Sequence, residues 1–213
     1  MDLGRTVVRG VVGPLFVGHG TQKLFGWFGG HGPEATGGFF ESLGLRPGRR
    51  HALAAGGAET AAGALITLGF LTPVATALVS GVMATAIQRV HAKKGPWMSD
   101  GGYEYNAVLM AVALALADEG PGRPSLDAAL LPRFRGPGWA LAAAGAGVGG
   151  ALLATAERAP APSMPRQEDQ ITFAGRSGLG RWLHSRALAR RGLLARDDPP
   201  RTASAPAGAV LTS

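Results

Sequence analysis

Hydrophobic residues are gathered into separate tracts along the chain, and the lengths of these tracts predict helices that cross a membrane. The tracts run from about Leu3 to Phe28, from Leu53 to Leu71 and from Pro73 to Val90. A fourth tract, Ala107 to Ala117, reaches spanning length only if Tyr103 to Asn106 form its interfacial start. The pattern therefore predicts an all-α fold, a transmembrane four-helix bundle.

A fifth apolar stretch, Trp139 to Ala156, is near the lower length limit for a span and consists mostly of Ala and Gly. Its marginal insertion energy leaves two alternatives open, a fifth C-terminal span or a stretch outside the bilayer. The chain beyond Glu157 has a Pro-, Arg- and Ser-rich composition that cannot bury a core. We therefore expect a membrane domain over residues 1–130, a candidate fifth helix over 137–156 and a basic, disordered tail over 157–213.

The connections between tracts differ in length. Almost no loop separates the second tract from the third, so these two helices are expected to be antiparallel neighbours. Longer loops are expected from about Gly29 to Ala52 and from about Ala92 to Gly102. Within the second tract, Gly56 and Gly63 share one helix face, which predicts close packing against another helix.

Charge and cysteine content narrow the classes of function. Charged residues make up only 16% of the chain, below the roughly one quarter of soluble domains, which supports the membrane assignment. The net charge is +7, but no basic stripe interleaved with aromatic residues is present, so the expected polyanion is anionic lipid and not nucleic acid. The absence of cysteine excludes disulfides and thiol redox chemistry.

Polar residues occur at four places that an up-and-down bundle brings to one membrane face. Because such groups are costly in lipid, they normally face the bundle interior, and we expect one shared polar pocket. The groups are His19, Gln22 and Lys23 at the end of the first helix, Glu59 in the second, Gln88 and His91 at the end of the third, and Glu104, Tyr105 and Asn106 at the start of the fourth.

Side-chain chemistry assigns a role to each of these groups. The candidate catalytic residues, which can exchange a proton, are Glu59, His19, His91 and Glu104. The candidate substrate-binding residues, which can hold a polar head group, are Gln22, Lys23, Gln88, Tyr105 and Asn106. The alternative for residues near helix ends is an ordinary interface position or a structural ion pair. No Glu-x-x-His pair of the di-metal bundles occurs on these helices, so no metal ligand is assigned.

Several short motifs occur in an order and spacing that resembles a known family. They are Gly18-His19-Gly20, Gln22 to Gly26, Leu43-Gly44 with Pro47-Gly48, Glu59, His91, Gly102 to Asn106 and Ser125-Leu126-Asp127. Together they resemble the DoxX family over about the first 130 residues. The resemblance implies a multi-pass protein in the plasma (inner) membrane of a bacterium or archaeon. Basic residues in the two longer loops favour an amino terminus outside and a carboxyl terminus inside, although Arg5 and Arg9 oppose this.

The resemblance also implies a function, because some family members are linked to thiosulfate oxidation with quinone and others to oxidative stress. We expect a membrane redox subunit whose pocket holds a quinone head group. Electrons would come from protein partners, since the sequence has no recognisable haem, flavin or iron–sulfur motif. Two alternatives stay open, a non-catalytic scaffold that recruits soluble enzymes and a small-molecule or proton carrier. No feature of the sequence fixes the oligomeric state.

Overall fold

The computed structural model describes residues 2–156, and this part of the chain is helical with no strand. The all-α prediction is therefore confirmed, while the predicted disordered tail, 157–213, lies outside the described residues. The helices are α1 (Leu3–Phe25), α2 (Gly32–Ser42), α3 (Gly48–Leu68), α4 (Thr72–Ala86), α5 (Glu104–Glu119), α6 (Leu126–Leu130) and α7 (Pro137–Ala156). A π-helical turn, Ile87–His91, continues α4.

Glycine ends two of the long helices. Gly26 follows α1 with a φ of 72°, and Gly69 follows α3 with a φ of 59°. Both lie in the left-handed region, where glycine carries no Cβ penalty and commonly terminates a helix. This is why α1 stops at Phe25, three residues before the predicted apolar tract ends.

The predicted loop between the first two tracts contains a helix, α2, that the hydrophobic pattern did not indicate. Pro33 stands at the start of α2 and Glu34 lies in its first turn, two features that favour helix initiation. Gly37 packs so closely on the start of α3 that an added Cβ would lie 2.8 Å from the amide nitrogen of Arg49. Tertiary contact with α3 therefore supports a helix too short to be evident from sequence.

Helices α1 and α3 pack backbone to backbone through paired glycines. A Cβ on Gly20 would lie 2.6 Å from the carbonyl oxygen of Gly56, and one on Gly63 would lie 2.5 Å from that of Gly13. Real Cβ atoms essentially never approach so closely, so only glycine fits at these positions. The packing face predicted at Gly56 and Gly63 is confirmed, and its partners on α1 are Gly13 and Gly20.

One apolar core joins the four longest helices before α7. Its buried members are Phe16 of α1, Ala62 and Ile66 of α3, Ala75, Val79 and Met83 of α4, and Leu109, Ala113 and Leu116 of α5. Helix α7 packs on the outside of α4, where a Cβ on Gly81 would lie 3.2 Å from the carbonyl oxygen of Gly147. The core and the outer helix therefore meet on opposite sides of α4.

Two buried charged residues hold the helix ends on the side where α1 begins. Arg9 donates hydrogen bonds to the carbonyl oxygens of Ile66 (3.0 Å) and Thr67 (2.9 Å) at the end of α3. Asp127 accepts hydrogen bonds from the amides of Leu71 (2.8 Å) and Thr72 (2.9 Å), and from the Thr72 hydroxyl (2.6 Å), at the start of α4. Cations suit helix carboxyl ends and anions suit amino ends, so both contacts also match the helix dipoles.

The outer faces of the helices carry exposed apolar side chains. On α1 they recur every four residues, at Leu3, Val7, Val11 and Leu15, and on α7 they include Leu141, Leu152 and Leu153. Of the described helices, Thr72–Lys94 and Pro137–Ala156 are long and apolar enough to cross a membrane by length and composition. Helices α1 and α3 are less apolar because each contains charged residues, and α5 has only 16 residues.

The glycine contact generates a stability prediction. Gly63→Ala should lower the free energy of unfolding by about 1–3 kcal/mol, because the new Cβ forces α1 and α3 apart. Gly57→Ala is the matched control, since a Cβ there meets nothing within 4 Å. Denaturant titration of the detergent-solubilised protein measures both. Equal stability of the two variants would contradict the close packing.

The Asp127 contact generates a second stability prediction. Asp127→Ala leaves two amides and a hydroxyl without their acceptor, and should destabilise the protein by about 3 kcal/mol. Asp118→Ala removes an exposed carboxylate and should change stability by less than about 0.5 kcal/mol. The same denaturant titration measures the stability of both variants. A loss of stability in Asp118→Ala but not in Asp127→Ala would refute the structural role assigned to Asp127.

Candidate functional site

A cavity of about 700 Å³, called here the α4 cavity, lies beside α4 towards the end where α3 begins. One face of α3 lines it with His51, Ala54, Ala55, Ala58 and Glu59. This spacing of three, four, seven and eight residues is the repeat of one helix face. The three alanines are small, so the space between His51 and Glu59 stays open.

The remaining walls of the α4 cavity are mostly apolar. Helix α2 and the residues after it contribute Phe39, Phe40, Leu43 and Leu45. Helix α4 contributes apolar side chains that include Leu78 and Val82, and α7 contributes Ala146, Gly147, Gly150, Ala151, Ala154 and Thr155. Ligand cavities are commonly apolar with a few polar groups, and this one has that composition.

A buried ion pair lies in the wall of the α4 cavity. The Lys23 ammonium, at the end of α1, lies 2.6 Å from Oε2 of Glu59, and the two side chains are 23% and 7% exposed. The ammonium also lies 3.4 Å from the carbonyl oxygen of His19. Among residues 2–156, no donor makes a well-directed hydrogen bond to this buried Oε2. The carboxylate is therefore compensated in charge but incompletely hydrogen-bonded.

Three further basic side chains, His51, Arg89 and His91, line the same cavity. Nδ1 of His91 lies 2.7 Å from the carbonyl oxygen of Gly101. Because a carbonyl oxygen only accepts, this geometry assigns a proton to Nδ1 and leaves Nε2 outside the bond. Arg89 donates to the carbonyl oxygen of Thr155, while its buried Nε has no hydrogen-bond partner among the described residues.

His51 and Arg89 were not among the residues that the sequence analysis proposed for the site. The signal for His51 was present, because it lies eight residues before Glu59 on one helix face. Arg89 could not be separated by sequence from the other basic residues of its loop. With neutral histidines, Lys23, Arg89 and Glu59 leave one net positive charge in the cavity wall.

Two of the predicted site residues, His19 and Gln22, line a different cavity. This second space of about 720 Å³, the α1 cavity, lies between α1 and α3 and includes Phe28. The side-chain amide of Gln22 donates to the carbonyl oxygen of Phe28 at 3.3 Å. His19 is exposed there. Lys23 is thus placed in the α4 cavity while its neighbours on the same turn are not.

Four other predicted residues lie outside the lining of the α4 cavity, and three of them form local contacts. Oε1 of Gln88 accepts from the Thr155 hydroxyl at 2.8 Å, and Oε1 of Glu104 accepts from the Met98 amide at 2.9 Å. The buried Asn106 amide donates to the sulfur of Met83 at 3.3 Å. Tyr105 is exposed. The structure brings together Lys23, Glu59 and His91, and no group of three or more potential metal ligands lies together in residues 2–156.

The ion pair can be tested through a double-mutant cycle. The coupling free energy between Lys23→Met and Glu59→Gln should be about 2 kcal/mol or more, because each single change leaves the other charge buried and unpaired. The exposed pair Glu34 and Arg49 is the matched control, with an expected coupling below about 1 kcal/mol. Denaturant titration in detergent measures both cycles. Similar coupling in the two pairs would show that the first is not buried in solution.

Comparison with known proteins identifies a family that part of the chain resembles. Residues 4–92 match the DoxX family model, a range that includes α1 to α4 almost completely and with them Lys23, Glu59 and His91. Helices α5, α6 and α7 lie beyond the matched residues. No curated protein and no solved structure matches the chain. The match over residues 4–92 covers less than half of the 213 residues, and it supports membership of the DoxX family for this part of the chain.

Proposed function

We propose that this protein is a multi-pass membrane subunit of a quinone-linked redox system and that the α4 cavity binds the quinone head group. The observation that carries the proposal is the Lys23–Glu59 pair in the wall of a mostly apolar cavity. Ionisable groups at membrane depth are costly and commonly mark a functional site. Thiosulfate oxidation and oxidative-stress chemistry are the two contexts that the family resemblance suggests.

A transmembrane arrangement of the helices is part of the proposal. We propose that α1, α3, α4 and α5 form a four-helix transmembrane bundle in a prokaryotic plasma membrane, with α7 as a fifth span. Support comes from the shared core of these four helices and from the exposed apolar rows on α1 and α7. In lipid, such rows are favourable because no water contacts them.

The residues of the α4 cavity fit a quinone. A quinone head group is a flat, largely apolar ring with two carbonyl oxygens that accept hydrogen bonds. Lys23 and Arg89 supply donors, and the buried Nε of Arg89 lacks a partner among the described residues. The volume of about 700 Å³ lies within the range of small-molecule sites.

Side chains of the α4 cavity would donate and accept the protons of the reaction. A bound quinone supplies two-electron chemistry, and its reduction takes up two protons. His91 can give or take a proton at Nε2, because Nδ1 is held by the carbonyl oxygen of Gly101. Glu59 can exchange a proton while Lys23 compensates its charged form. We propose that a protein partner supplies the electrons.

The test uses complexes recovered from native membranes and assayed for quinone reduction. Glu59→Gln should lower this activity at least about tenfold while the partners are still recovered, because the proton-exchanging group is lost. Glu34→Gln, which removes an exposed carboxylate on α2, is the matched control and should leave the activity unchanged.

A truncation after Glu157 completes the design. Unchanged activity in Glu59→Gln, with partners lost only on truncation, would replace the redox proposal with the scaffold alternative. Retained partners and reduced activity in Glu59→Gln alone would support the α4 cavity as the redox site.

A further inference from the structure

Helix α7 lies beyond the family-matched residues, yet it forms one wall of the α4 cavity. The α7 residues that reach the cavity include Ala146, Gly150 and Ala154, which are four residues apart and share a helix face. Gly147 belongs to a second face, which is buried against α4. The buried packing face also borders the cavity, through Gly147, Ala151 and Thr155. Helix α7 therefore lines the cavity with two adjacent faces, and the one with Ala146, Gly150 and Ala154 is exposed.

The carboxyl end of α7 is hydrogen-bonded to the π-helical turn that contains Arg89 and His91. The Thr155 hydroxyl donates to Oε1 of Gln88 at 2.8 Å, and the Arg89 guanidinium donates to the Thr155 carbonyl oxygen. These bonds join α7 directly to the π-helical turn after α4. The wall that α7 forms is thus held in register with Arg89 and His91.

The α7 side of the cavity is open, because Ala146, Gly150 and Ala154 are exposed. A Cβ added to Gly150 meets nothing within 4 Å, whereas one added to Gly147 would lie 2.9 Å from the amide nitrogen of Gly81. The helix rise places Ala146 and Ala154 about 12 Å apart, which is close to the reach of a decyl chain. No charged side chain of α7 borders this space, since the α7 lining consists of Ala, Gly and Thr.

Polar and apolar groups are divided between the walls of the α4 cavity. Its ionisable side chains belong to α1, α3 and the end of α4. Large apolar side chains come from α2 and the residues after it (Phe39, Phe40, Leu43 and Leu45), and α7 contributes only Ala, Gly and Thr. A ligand that satisfies both parts must itself be amphipathic, with a polar head and an apolar tail.

We infer that α7 forms the tail-binding part of the site, in which the alkyl or isoprenoid tail of the quinone lies along Ala146, Gly150 and Ala154. The identity of the head group rests on the proposed function, whereas the position of the tail rests on the geometry of α7. Small residues on this face are then a requirement of binding and not only of helix packing.

The test compares Gly150→Leu with Gly145→Leu, the same change at an exposed α7 position that lies outside the cavity lining and has equal free space. The probes are a benzoquinone with a decyl tail and the same head group without a tail. Gly150→Leu should weaken binding of the decyl probe by about tenfold or more, because leucine takes the place of several methylenes. It should leave the tail-less probe within about twofold, and Gly145→Leu should change neither.

Unchanged binding of the decyl probe to Gly150→Leu would overturn the inference. Equal weakening of both probes would also overturn it, because Gly150 would then border the head group.

If wild type binds neither probe, the quinone proposal fails, and mass spectrometry of co-purified apolar molecules decides on the tail site separately. A molecule retained by wild type and Gly145→Leu but lost from Gly150→Leu supports the tail site, and equal retention in all three proteins, or no such molecule in wild type, rejects it.

Discussion

The backbone contact between α1 and α3 is the constraint on which the candidate site depends. Gly20 lies against the backbone of Gly56, and Leu24 packs over Gly56 one turn further along α1. At this separation the Lys23 side chain reaches Glu59, 2.6 Å away, and the carboxylate can remain buried. A larger residue in the contact would move α1 outward and separate the two charges. Packing of uncharged backbone therefore makes a charged site possible in an apolar environment.

The two ends of the helix assembly satisfy their polar groups in different ways. At the end where α1 begins, Arg9 and Asp127 meet helix termini directly, and every contact described there is structural. At the other end, Glu59 and Arg89 keep buried atoms without well-directed hydrogen bonds among residues 2–156. The other such atoms among the described residues are the hydroxyl oxygens of Thr6 and Ser80, whereas Glu59 and Arg89 are charged groups. Unsatisfied buried groups are unfavourable, so a ligand that bonded to Glu59 and Arg89 would stabilise the protein.

Patterns of hydrophobic and small residues within single helices predicted much of this structure. Tract length located α1, α3, α4, α5 and α7, and helical periodicity identified Gly56 with Gly63. Helical spacing also grouped His19 with Lys23, but the two residues line different cavities. Sequence spacing contains no information on the helices that form those cavities. Arg9 was considered only as an amino-terminal charge that bears on orientation, because its role depends on carbonyl groups more than fifty residues away. Helix α2 was missed because α3 supplies its stability.

Helix α7 completes a cavity that the family-matched residues form only in part. A protein that ended after α5 would expose this side of α4, and with it the cavity that contains Glu59, to lipid or to another subunit. Lipid tails cannot replace the fixed wall that α7 holds against Gln88 and Arg89. The matched residues 4–92 supply every ionisable side chain of the cavity and much of its apolar lining, and the helix beyond them supplies one further wall of small residues. The complete cavity is therefore a property of the longer chain, because neither part encloses it alone.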